Sequence, residues 1–74
     1  MNEHIQHKII SLCGSQSELA RRLGKNSQTV SAWFRTQVAS TEVINASRAL
    51  DWKVTPHELR PDLYPNPTDG LPQE

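Results

Sequence analysis

The 74 residues suffice for one small domain with a modest core, which leaves little room for a deep catalytic pocket. Eight Lys/Arg balance eight Asp/Glu and one cysteine is present, so the chain is neither strongly basic nor stapled by an internal disulfide. No stretch is long and apolar enough to span a membrane, and Met1–Lys8 lacks the apolar run of a secretory leader, so a reducing bacterial cytoplasm is the expected setting.

Ile5, Ile9, Leu12 and Cys13 recur at i, i+4, i+7 and i+8, with Ile10 widening the stripe; this predicts a helix over residues 3–13, ended by Gly14. Ser15-Gln16-Ser17-Glu18 has the spacing of a capping box. It opens a second helix with Leu19, Ala20 and Leu23 inward, broken at Gly24. Asn26 is a good N-cap for a third helix, Ser27 to about Arg35, whose apolar side is Val30, Trp33 and Phe34. Because Trp33 and Phe34 are adjacent, only Trp33 is expected in the core, with Phe34 against the next helix.

Thr36–Ala39 reads as a loop. Ser40 or Thr41 then caps a fourth helix to about Leu50, with Val43, Ile44, Ser47 and Leu50 inward. Residues 51–56 form a connector in which a short strand stays open. Thr55-Pro56-His57-Glu58 is a second capping box, with Pro56 at the first helical position, where its missing amide costs nothing, and Pro61 ends that helix. Leu63 and Tyr64 are expected to fold back on the core, which closes a domain at residues 1–64. Residues 65–74, with Pro65, Pro67, Pro72 and Gly70, read as a flexible, extended tail. The expected fold is an all-α bundle of about five helices; the alternative keeps three helices and ends in a β-hairpin.

Charge is unevenly spread. Residues 1–35 hold five bases against two acids, a net +3, and residues 36–74 hold three against six, a net −3. Such a dipole turns a basic front toward a polyanion and an acidic back away from it.

The informative segment is Gln16–Arg35: two short helices joined at Gly24. Ala20 is small where the second of the pair crosses it, and Leu19, Leu23, Val30 and Trp33 fill the space between them. This is the pattern of a helix-turn-helix, in which the second helix enters the major groove and the first braces it. The stretch resembles the helix-turn-helix of the phage Cro and repressor superfamily, a lambda-repressor-like arrangement. With Gly14–Arg21 in front and His57–Pro65 behind, residues 5–65 are similar to the Cro/YdaS-like regulators of prophages. That resemblance implies a mainly helical DNA-binding transcriptional regulator, a repressor or switch protein, and some relatives are described as antitoxins. Lys25 departs from it, since the turn of relatives usually holds an apolar residue there.

Helix geometry assigns the roles. Ser27, Gln28, Thr29, Ser31 and Ala32 lie on the early, outward part of the third helix and are the expected base readers. Gln28 leads them, because its amide can pair with both N6 and N7 of adenine. Gln16 and Asn26, at helix starts, and Lys25, Arg35, Arg21 and Arg22 are the expected phosphate contacts; the bland reading of the two central arginines is a solvated helix face. So few clamps imply weak binding by one subunit, hence a homodimer on palindromic double-stranded operator DNA, its contact surface expected within residues 38–64. His4 and His7 stand one turn apart, but Cys13 belongs to the core stripe, so no metal centre is expected, nor any cofactor, small-molecule substrate or membrane partner. No nucleophile sits beside a base in a recognisable spacing, which argues against an enzyme. The rival to a repressor is an antitoxin or protein-interaction module of a prophage toxin–antitoxin pair.

Overall fold

The first three helices of the computed structural model, which describes residues 1–72, each start at a residue whose side chain caps them. Helix α1 (Glu3–Cys13) is capped by Asn2, whose Oδ1 accepts from the His4 amide at 2.7 Å. Helix α2 (Gln16–Leu23) starts at Ser15, whose Oγ accepts from the Glu18 amide at 3.1 Å, and ends at Gly24 with φ +68°. That left-handed conformation lets the chain reverse into the next helix without the clash a Cβ would bring. Helix α3 (Ser27–Arg35) is capped by Asn26, which accepts from the Thr29 amide at 2.9 Å.

A 3-10 turn (Ser40–Glu42) leads into α4 (Val43–Ala49), and α5 (Pro56–Leu59) completes the all-helical order; no strand occurs among the described residues. Helix α2 packs against α1, α3 and α4, and α4 packs in turn against α5. The central position of α2 fixes the orientation of α3, because Leu19 and Ala20 are buried on the α2 side and Val30 is buried on the α3 side.

Four expectations are corrected. The Ser15 box is only half made: Glu18 turns to Arg21 and Arg22 instead of the Ser15 amide, whereas the box at Thr55–Glu58 is complete. Neither Ser40 nor Thr41 caps α4; the 3-10 turn supplies its entry and no side chain caps either element. Trp33 and Phe34 are both buried, at 7% and 6% exposure. Successive helical residues are about 100° apart, and a core-facing arc of that width holds both, with Val30 between them. Leu63 stays 45% exposed, while Tyr64 packs against the core as expected.

The connector after α4 is a tight turn, not a strand. Asp51 and Trp52 take φ of 61° and 62°, a left-handed pair that no strand accommodates. The Trp52 amide donates to Ser47 O at 2.9 Å and Ser47 Oγ donates to Val54 O at 2.6 Å, which clips the turn onto α4. From Asn66 to Pro72 there is no regular helix. The Asn66 amide donates to Asp69 Oδ2 at 3.0 Å, and Gly70 lies so near α5 that an added Cβ would sit 2.9 Å from Pro56 Cγ. Gln73 and Glu74 of the expected tail lie outside the described residues.

Candidate nucleic-acid interface

The outer surface of α3 follows from its wheel. With Val30, Trp33 and Phe34 spanning the buried arc, Gln28, Ser31, Ala32 and Arg35 share the opposite one, and Ser27 flanks the arc beside Phe34 at the helix start. Ser27, Gln28 and Arg35 are exposed, and Ser31 and Ala32 are half-buried. No side chain of Ser27, Gln28, Ser31 or Arg35 is committed to a hydrogen bond or ion pair among the described residues. Thr29, the fifth expected reader, sits at the edge of this face: half-buried, with its hydroxyl donating to Asn26 Oδ1 at 3.0 Å. Its donor is therefore spent, which leaves its methyl and the acceptor side of its hydroxyl to offer a base.

Asn26 is exposed, but its carbonyl oxygen is occupied by the Thr29 amide and hydroxyl, so only its amide nitrogen remains for a phosphate. Gln16 opens α2, half-buried, where the first backbone amides of the helix lack intrahelical acceptors. Such a helix start attracts anions through its amides and its dipole.

The expected clamps divide. Arg35 has no acidic partner among the described residues. Arg21 grips Glu18 with two bonds, Nη2 to Oε1 at 2.6 Å and Nε to Oε2 at 3.0 Å. Arg22 reaches the same carboxylate at 3.4 Å and the Ala49 carbonyl at 3.5 Å. The Arg21 hydrogen bond holds the Glu18 carboxyl below its ordinary value, against the effect of desolvation, and raises the guanidinium in return. Lys25 pairs with Glu42 at 3.2 Å, and its hydrogen bond, with that of Asn45, lowers the Glu42 carboxyl.

These pairings explain the Lys25 departure. Instead of an apolar contact, the turn between α2 and α3 is tied to the 3-10 turn before α4 by an ion pair. Sequence reasoning missed Glu42 because the partner is 17 residues away and no local spacing signals it. It also missed Arg60, whose Nη1 donates to Val38 O at 2.8 Å while Asp62 holds the rest of its guanidinium, anchoring the loop that follows α3.

Residues 6–68 match the family model described as bacterial toxin YdaS. Neither the comparison with curated proteins nor that with solved structures finds a match.

Proposed function

The chain belongs to the bacterial toxin YdaS family, which is associated with phages and prophages, and on that premise we propose that it is a sequence-specific DNA-binding regulator, a Cro-like repressor that lays α3 in the major groove of operator DNA. One observation carries this reading: an outward face of α3 whose polar side chains have no partner among the described residues, on a helix capped at its start and held by α2. Helix α3, nine residues and about 13 Å long at 1.5 Å per residue, has with its side chains a diameter of about 10–12 Å, which a major groove about 12 Å wide admits. Gln28 would pair with adenine, the Thr29 or Ala32 methyl would pack on thymine, and Ser27 and Ser31 would bond to base edges. Gln16, Asn26 and Arg35 would hold phosphates on either side, with Lys25, Arg21 and Arg22 after them. Two copies on a palindrome supply the affinity one copy lacks.

The test is binding to duplexes from the gene's own upstream region against scrambled duplexes, with Gln28→Ala alongside. Tight binding to one palindrome, with Gln28→Ala losing about 1–3 kcal/mol there and nothing on scrambled DNA, supports base reading through α3. Equal, weak binding to all sequences, unchanged by Gln28→Ala, overturns it. The family's description as a toxin favours a second reading, in which the chain works through a protein partner in a toxin–antitoxin pair; co-purification with the product of an adjacent gene, with no palindrome bound, supports that one.

A further inference from the structure

The cations beside the reading helix are not equally available. Arg35 is open, but Arg21 and Arg22 share Glu18, at 2.6 and 3.4 Å, and Lys25 is held by Glu42 at 3.2 Å. The pairs are exposed to solvent on their basic side, with side-chain exposures of 76%, 38% and 38% for Arg21, Arg22 and Lys25. Exposed ion pairs of this kind are weak and exchangeable. A duplex brings a denser negative charge than one carboxylate, and releases counterions as each phosphate is neutralised.

We propose that Glu18 and Glu42 are internal competitors of the DNA backbone that set an affinity threshold: they occupy, in the free chain, the three cations that DNA phosphates would claim, so that phosphate binding requires an exchange of partners. The inference rests on the DNA-binding reading above. Its logic lies in the division of labour on α3. Ser27, Gln28, Ser31 and Ala32 are uncharged, so sequence is read by neutral groups, whereas affinity for any duplex comes from charge. A duplex that gives α3 nothing to read must still displace both carboxylates, with only Arg35 as an open cation. A duplex that α3 reads gains base contacts that carry the exchange. The two acids thus lower affinity for every duplex by the same exchange cost, and binding becomes appreciable only where base contacts add to it. Glu18 does this for two arginines at once, which is also why it leaves the Ser15 capping box half made.

The experiment is a titration of operator and scrambled duplexes over a salt series, using Glu18→Gln, Glu42→Gln and the double variant. Asp51→Asn serves as the control, since it makes the same change in net charge at an exposed turn whose left-handed backbone suits asparagine. Expected is a roughly three- to tenfold gain on scrambled DNA for each single variant, and a salt slope steeper by about 0.9 for each phosphate newly held. The operator gains by a similar factor, so the operator-to-scrambled ratio holds, and Asp51→Asn does none of this. Thermal unfolding followed by circular dichroism establishes that each variant is folded, and two independent sites guard against one of them failing. Variants that bind like Asp51→Asn, while the parent chain binds its operator, overturn the proposal and leave the DNA reading standing. A parent chain and variants that bind no duplex at any salt overturn both.

Discussion

Ser47 is fully buried, and its hydroxyl donates to the Val54 carbonyl at 2.6 Å across a turn that contains two left-handed residues. Its place in the core was legible from the helical spacing of Val43, Ser47 and Leu50, although Ile44, expected inward with them, is only half-buried; its job was not legible, because the acceptor lies seven residues on, beyond a bend that periodicity does not see. Val38 and Val54 escaped for the same reason: each is a lone apolar residue in a connector, yet each is buried at about the level of Val30. Non-glycine residues in the left-handed region persist only where surrounding bonds over-determine them. Ser47→Ala removes one such bond and leaves the Val54 carbonyl buried without a donor. The expected loss is about 1–3 kcal/mol of folding stability, read from the denaturant midpoint. A loss well below that range would mean that the backbone bonds of the Asp51, Trp52 and Lys53 amides hold the turn without it.

At the scale of elements, the boundaries of the first three helices and the start of α5 were written in their caps and breakers, while the contacts that join helices were not. Lys8 on α1 and Glu58 on α5 meet at 2.8 Å across 50 residues of sequence. Helix α5 has four residues, far too few to be stable by itself, and depends on the Thr55 box, on burial of Pro56 and Leu59, and on this ion pair. Burial pushes the Glu58 carboxyl up, but the Lys8 and Thr55 hydrogen bonds outweigh it, and the net effect lies below the ordinary value of 4.5. A carboxyl depressed in the folded state stabilises fully above its unfolded value and loses that contribution as pH falls through the folded one. Acidification below about 4.5 is therefore expected to loosen α5 from α1, with Glu18, Glu42 and Asp62 titrating in the same direction. Lys8→Met should shift the Glu58 titration upward and shrink the acid-sensitive part of stability. Unfolding midpoints compared between about pH 3 and pH 7 measure it; an acid limb identical in the parent and Lys8→Met would place the sensitivity at the other carboxylates.

The whole molecule measures 30 × 24 × 22 Å, and that size turns the proposed dimer into a geometric prediction. With one α3 in each half-site, two copies reading a palindrome would sit one helical repeat apart, about 34–36 Å. Bodies up to 30 Å long can touch at that spacing with a modest lean toward each other. Inserting about 5 base pairs between half-sites moves the second copy to the opposite face of the duplex, and inserting about 10 restores the face but doubles the separation to roughly 70 Å, beyond the reach of two such bodies. Both insertions should therefore reduce affinity to that of an isolated half-site, and both should abolish the steep dependence on protein concentration. Restored affinity at the longer insertion would mean that the copies are joined by an extended segment instead of touching bodies. Affinity indifferent to either insertion would mean that each copy binds alone, and the few cations on its front would then have to suffice without a partner.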